Sequence, residues 1–121
     1  MNKFVDCSKV YIGESKYGLG VFAKQNFKID EVIEVGIMTP LKNIDGNENP
    51  HVFIWSEDKT IWAVGSGLLP FYNHFEIPNI KKVGDLKNNT MKIIAIKNIK
   101  KDEELGNSYY SKKWRTCFQN F

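Results

Sequence analysis

The chain has 121 residues, 42% of them hydrophobic and 26% charged, with a net charge of +3. That length accommodates one domain with a modest core, and the composition is ordinary for a globular protein. The charge is too weak to argue for nucleic acid: the doublets Lys81-Lys82, Lys100-Lys101 and Lys112-Lys113 read as solvated turns and faces, not as a stripe that tracks phosphates.

The N-terminus, MNKFVDCSKV, lacks the apolar core of a signal peptide, and no apolar run approaches the roughly 18 residues of a membrane span. The chain is therefore expected inside the cell, in the cytoplasm or nucleus. Short strands follow one another: KVYIG, GVFA, EVIEVGI, HVFIW, TIWAV, NIKKV and MKIIAI, each rich in Val, Ile and aromatic residues. Turn-formers separate them at Glu14-Ser15, Lys28-Ile29-Asp30, Asn43 to Pro50, Glu57-Asp58 and Asp85 to Asn89. Before residue 108 no apolar stripe of helical period lasts ten positions; the tail SKKWRTCF is the best helix, with Ser111 as N-cap and Trp114, Cys117 and Phe118 along one face. The domain is mainly β. Cys7 and Cys117, with His51 and His74 as the only imidazoles, are too few for a zinc site, and no metal is expected. Asn26-Phe27-Lys28-Ile29-Asp30-Glu31-Val32 is echoed by Asn98-Ile99-Lys100-Lys101-Asp102-Glu103-Glu104. Both read as turns that launch a strand, with Asp taking a left-handed backbone.

Three stretches carry chemical information. KYGLGVFA, residues 16–23, contains the glycine spacing of a dinucleotide-binding turn. Such a turn must open a helix of ten or more residues, whereas Val21 and Phe22 are β-formers and another turn arrives soon after. The dinucleotide reading fails. Gly18 and Gly20 either soften a hairpin or let a ligand lie against the backbone. In GSGLLPFYNHFEIPNI, residues 65–80, Asn73 and His74 sit in apolar surroundings where polar groups need partners. They either lock a loop or meet a ligand. In DEELGNSYYSKKW, residues 102–114, the pair Tyr109-Tyr110 either packs or directs a hydroxyl into a narrow channel.

In this order the three stretches resemble the SET domain of protein-lysine methyltransferases. KYGLGVFA is similar to the family's first motif, Asn73-His74-x-x-x-Pro78-Asn79 to its Asn-His-Ser-x-x-Pro-Asn signature, and IKKDEELGNSYY to its closing segment. The resemblance covers about Lys9 to Trp114 and corresponds to a minimal stand-alone SET domain, residues 1–121, with a short tail from 111. It implies a fold of small curved antiparallel sheets with short helical turns and a C-terminal pseudoknot, in which the closing segment threads beneath the loop holding Asn73 and His74. It also implies S-adenosyl-L-methionine as cofactor, held by Lys16, Gly18, Leu19, Gly20, Asn73 and His74, with Trp114 against the adenine. Tyr109 matches the active-site tyrosine, and Tyr72 and Tyr110 are candidate walls of the substrate channel. Phe75 stands where the family has Ser, Ile77 where a polar residue is common, and Asp30 and Asp102 where it has turn glycines.

The implied reaction transfers a methyl group from a sulfonium to a lysine side chain of a protein or peptide, a histone among the candidates. Free lysine has a pKa of about 10.4, so a dry channel beside a cationic sulfonium is needed to favour the neutral amine. A homodimer completing the peptide groove is a further expectation; nucleic acid and membrane are not expected partners. Two alternatives follow from the same residues: a SET-like module that binds protein without turnover, and a small β-barrel interaction module without cofactor.

Overall fold

The structure is a computed structural model, and it describes residues 5–16, 18–41, 52–56 and 61–108. Among them run nine strands: β1 (Val10–Ser15), β2 (Gly18–Ala23), β3 (Val32–Leu41), β4 (Val52–Ile54), β5 (Trp62–Gly65), β6 (Asn73–His74), β7 (Ile80–Asp85), β8 (Thr90–Ala95) and β9 (Glu104–Asn107). A single 3-10 turn, Leu69–Phe71, precedes β6 among the described residues. The strands form two small sheets, one ordered β1-β2-β9-β6 and the other β4-β5-β3-β8-β7. All seven strands expected from the sequence are present. The expected turn at Glu14-Ser15 lies later, because β1 stays paired as far as Ser15 opposite Gly18.

Alternation explains the core. Val21 and Ala23 of β2 are buried, as are Met91, Ile93 and Ala95 of β8, with intervening residues turned outward. β3 joins both halves of its sheet: its first part pairs with β8 and its last four residues with β5. Pro40 falls in that last part, beyond the β8 ladder, where a missing N–H costs no sheet bond on that side. A register shift between Val32 and Glu34 lets Ile33 and Glu34 both face inward. After it, Glu34, Gly36 and Met38 keep one phase and are all buried.

The sequence echo is a structural element. Phe27 and Ile99 bond reciprocally through their backbones at 2.9 and 2.8 Å. Asn98 Oδ1 accepts from Ile29 N at 3.0 Å, and Asn26 Oδ1 accepts from Lys101 N at 2.8 Å. Asp30 N donates to Ala95 O and Asp102 N to Ala23 O, with Asp30 at φ 72° and Asp102 at φ 68°. The two turns thus clasp each other about a local two-fold axis and tie the end of each sheet's inner strand to the other turn. Short polar side chains tolerate this left-handed backbone best after glycine.

β6 and β9 run parallel, Asn73 opposite Gly106 and His74 opposite Asn107. Parallel neighbours need a crossover connection, and here the 73–79 loop closes on β9 from both ends. Phe75 N donates to Asn107 O at 2.9 Å and Asn79 N to Gly106 O at 3.1 Å. The buried Asn79 side chain acts as one more strand segment: it donates to Glu104 O at 2.8 Å and accepts from Gly106 N at 2.9 Å. This wrapping of the 73–79 loop around the closing segment is the knot-like arrangement the sequence led us to expect.

Candidate active site

The two glycines of the 16–23 stretch do different work. Gly18 has φ +102°, and nothing lies within 4 Å of where its Cβ would stand. Its neighbour Leu19 is 56% exposed. The backbone here is open to an incoming ligand and shaped as only glycine easily allows. Gly20 is buried, and a Cβ there would stand 2.6 Å from Glu104 Oε2, 3.0 Å from Asn73 Nδ2 and 3.1 Å from Ser15 Cβ. The missing side chain of Gly20 makes room for protein side chains, whereas Gly18 borders open space.

Those side chains form one network. Asn73, 7% exposed, donates from Nδ2 to Leu19 O at 3.0 Å and to Glu104 Oε2 at 3.1 Å, with Ser15 Oγ at 3.5 Å. Ser15 Oγ donates to Glu104 Oε1 at 3.0 Å. A carbonyl and a carboxylate can only accept, so the Asn73 nitrogen must face them. An amide has two N–H donors; both are used, and Oδ1 is the atom Asn73 has left to offer a ligand.

On the other face of the same ladder, His74 is 6% exposed and its Nε2 lies 3.0 Å from Oε1 of the exposed Glu76. Asn107 shares that face by register. Its Nδ2 donates to Ser108 O at 3.3 Å, while its buried Oδ1 has no hydrogen-bond partner among the described residues. Gly106 lies against Phe75, whose ring a Cβ at Gly106 would overlap. Phe75, where the family pattern has Ser, thus fills the hollow over the closing strand. The Asn73 Oδ1 beside the exposed backbone of Gly18 and Leu19, and the buried, unpartnered Asn107 Oδ1 on the His74 face, suit a ligand that carries N–H donors. S-adenosylmethionine is such a ligand, with an ammonium and an adenine amine, and the residues present fit it.

Tyr72, expected in the channel, is a core residue. It is fully buried, and its hydroxyl donates to Glu34 Oε1 at 2.7 Å. Glu34 Oε2 accepts from Leu68 N at 2.9 Å. Burial, then the Glu34 charge and hydrogen bond, push the Tyr72 hydroxyl well above its ordinary range. Burial also raises Glu34, with the bonds from Tyr72 and Leu68 and the charge of Lys82 opposing. The Lys82 ammonium lies 4.2 Å from the Phe53 ring centre and 5.9 Å from that of Tyr72. A Cβ at Gly67, φ +58°, would stand 2.6 Å from Glu34 Oε2. The segment Ser66–Tyr72 is thereby strapped to β3 immediately before Asn73.

Lys16 is exposed at the hairpin end, adjacent to the open backbone of Gly18 and Leu19. The structure brings Leu19, Gly20 and Asn73 together, and His74 follows on the opposite face. Tyr109, Tyr110 and Trp114 lie outside the described residues. Ser15, Glu34, Glu104 and Asn107 were not singled out by the sequence. Charged residues in a strand read as solvated; the available signal was phase, since Glu34 alternates with Gly36 and Met38, and Glu104 precedes the buried Leu105.

Comparison with known proteins agrees with this fold. A SET-domain profile matches residues 18–110. The histone-lysine N-methyltransferase of Schizosaccharomyces pombe named as H3 lysine-37 specific is 29% identical over 104 residues, which cover 80% of this chain and 69% of that protein. A histone-methyltransferase candidate of Plasmodium falciparum superposes with a TM-score of 0.68 at 34% identity, over 84% of this chain and 92% of that one. A chain of the Chaetomium thermophilum polycomb repressive complex 2, in a structure bound to S-adenosylmethionine, shares the fold with a TM-score of 0.71 at 23% identity. The match covers 88% of this chain and only 16% of that much longer one. The profile match spans most of the domain, and the chain belongs to the SET-domain family, whose members are S-adenosylmethionine-dependent protein-lysine methyltransferases.

Proposed function

We propose that the chain methylates a histone lysine, with its cofactor bound along Lys16, Gly18, Leu19, Asn73 and His74 and with Tyr109 as the active-site tyrosine. The observation that carries this reading is the Asn73 amide, whose donors are all committed inward to Leu19, Glu104 and Ser15. What remains is a fixed acceptor next to an open glycine backbone. When bound, the cofactor supplies a methyl group made electrophilic by its sulfonium. The protein's own contribution is placement. Asn73 Oδ1 would accept from the cofactor ammonium, Asn107 Oδ1 would be a second acceptor on the face of His74, and Trp114 would hold the adenine. The Tyr109 hydroxyl orients the lysine amine, and Tyr110 lines its channel. A narrow, dry channel disfavours the ammonium and lowers the lysine pKa, so no strong general base is needed. Most of the acceleration then comes from alignment and electrostatics.

The name of the Schizosaccharomyces pombe relative makes histone H3 the first substrate to try, and such a substrate would place the chain in the nucleus. Among the described residues no helix is long and apolar enough to cross a membrane. The reading is tested by calorimetric titration with S-adenosylhomocysteine. Wild type should bind and gain thermal stability by mass action, and Asn73→Ala should bind at least tenfold more weakly, roughly the effect of losing one charge-assisted hydrogen bond. Absence of heat and of thermal shift at millimolar ligand would sink the proposal.

A further inference from the structure

Glu104 organises the Asn73 amide, the group on which the proposed cofactor site depends. It stands at the start of β9, partly buried, and its two oxygens divide the work. Oε1 accepts from Ser15 Oγ at 3.0 Å and Oε2 from Asn73 Nδ2 at 3.1 Å. Without the carboxylate, the Asn73 amide would have Leu19 O as its one close acceptor. An amide so held can turn over and present N–H donors where it now presents Oδ1. Gly20 is required by the same arrangement, since any side chain there would occupy the space of Glu104 Oε2 and Asn73 Nδ2.

We propose that Glu104 is a positioning residue: by fixing the Asn73 amide it sets the site to recognise the ammonium of the cofactor's amino-acid portion, and its own negative charge favours that cation. The inference rests on the cofactor site proposed above. It makes selective recognition of the amino-acid portion, and not binding of the adenosine portion, the property that Glu104 controls.

The test compares two probes on the full chain, S-adenosylhomocysteine and 5′-methylthioadenosine, which lacks the amino-acid portion. Wild type should prefer the first. Glu104→Ala should lower its affinity for S-adenosylhomocysteine by about tenfold or more while leaving 5′-methylthioadenosine within about twofold. Glu104→Gln should restore much of the preference, because its Oε1 can accept from Asn73 while its Nε2 donates to Ser15. A purely structural role would weaken both probes alike in Glu104→Ala, and that result overturns the proposal, as does an unchanged ratio. If Glu104→Ala does not fold, Ser15→Ala serves instead: it frees Oε1, and the ratio should fall in the same direction by a smaller factor. Equal loss of both probes, or none, in Ser15→Ala then overturns the proposal. Wild type that binds neither probe overturns the cofactor site itself, and is thereby distinguished from wild type that binds both while Glu104→Ala keeps the ratio.

Discussion

Tyr72→Phe removes one oxygen from the fully buried Tyr72–Glu34 pair and leaves the ring in place. Glu34 keeps its bond from Leu68 N but loses the donor to Oε1. A hydrogen bond to a charged group contributes about 1.5–3 kcal/mol, and a buried acceptor left unpaired costs a similar amount. We therefore expect a loss of about 2 kcal/mol. For 121 residues, unfolding entropy at the midpoint is about 0.25 kcal/mol per degree, so Tm should fall by about 8 °C. The loss should also depend on pH. Burial raises the Glu34 pKa above 4.5 in the folded state, so in the window from 4.5 to the raised value the folded protein binds more protons than the unfolded chain. Stability contributed by this group is highest below that window and falls as pH rises through it. Removing the Tyr72 hydroxyl removes a bond that favours the ionised form, so the folded pKa rises further and the window widens. Thermal unfolding of both proteins at about pH 5 and about pH 8 should show a larger penalty for Tyr72→Phe at the higher pH. An equal penalty at both, or a larger one at the lower, would refute the assignment of Glu34 as a buried, partly desolvated acceptor.

Gly20→Ala should weaken S-adenosylhomocysteine binding about tenfold in a titration, because its Cβ displaces Glu104 and Asn73. Gly18→Ala meets no neighbour but strains the backbone at φ +102°, and should cost about 1–3 kcal/mol of stability, measured by denaturant unfolding. If Trp114 stacks on the adenine, Trp114→Ala should lose about 1–3 kcal/mol of cofactor affinity with folding retained. Lost stability with unchanged affinity would assign it to the core.

Much of the fold could be read from alternation. The seven strands rich in Val, Ile and aromatics are all present, and Asp30 and Asp102 take the left-handed backbone that turn chemistry suggested. β6 and β9 were not legible as strands. One is two residues long, and Asn73-His74 and Gly106-Asn107 have little β propensity of their own. Their parallel pairing comes from the wrapped loop, which no local pattern reports. The echo was visible, but not that its two copies bond to each other. At the site, the polar motif residues stood out because Asn and His among apolar neighbours need partners. That Gly20 makes room for side chains was hidden, since that depends on Glu104, which is 84 positions from Gly20 along the chain. The burial of Tyr72 against Glu34 was not legible, because the register shift in β3 that turns Glu34 inward leaves no local pattern.

The most direct test of the central claim is mass spectrometry of histone H3 peptides incubated with S-adenosylmethionine and either wild type or Tyr109→Phe. Wild type should add whole methyl groups to lysine, faster as pH rises, because the amine must lose its proton before it attacks. Tyr109→Phe should bind cofactor equally well and lose most turnover, whereas Tyr110→Phe should change at most the number of methyl groups added. Wild type that binds cofactor yet methylates no lysine peptide, or Tyr109→Phe that turns over as fast as wild type, would contradict the account.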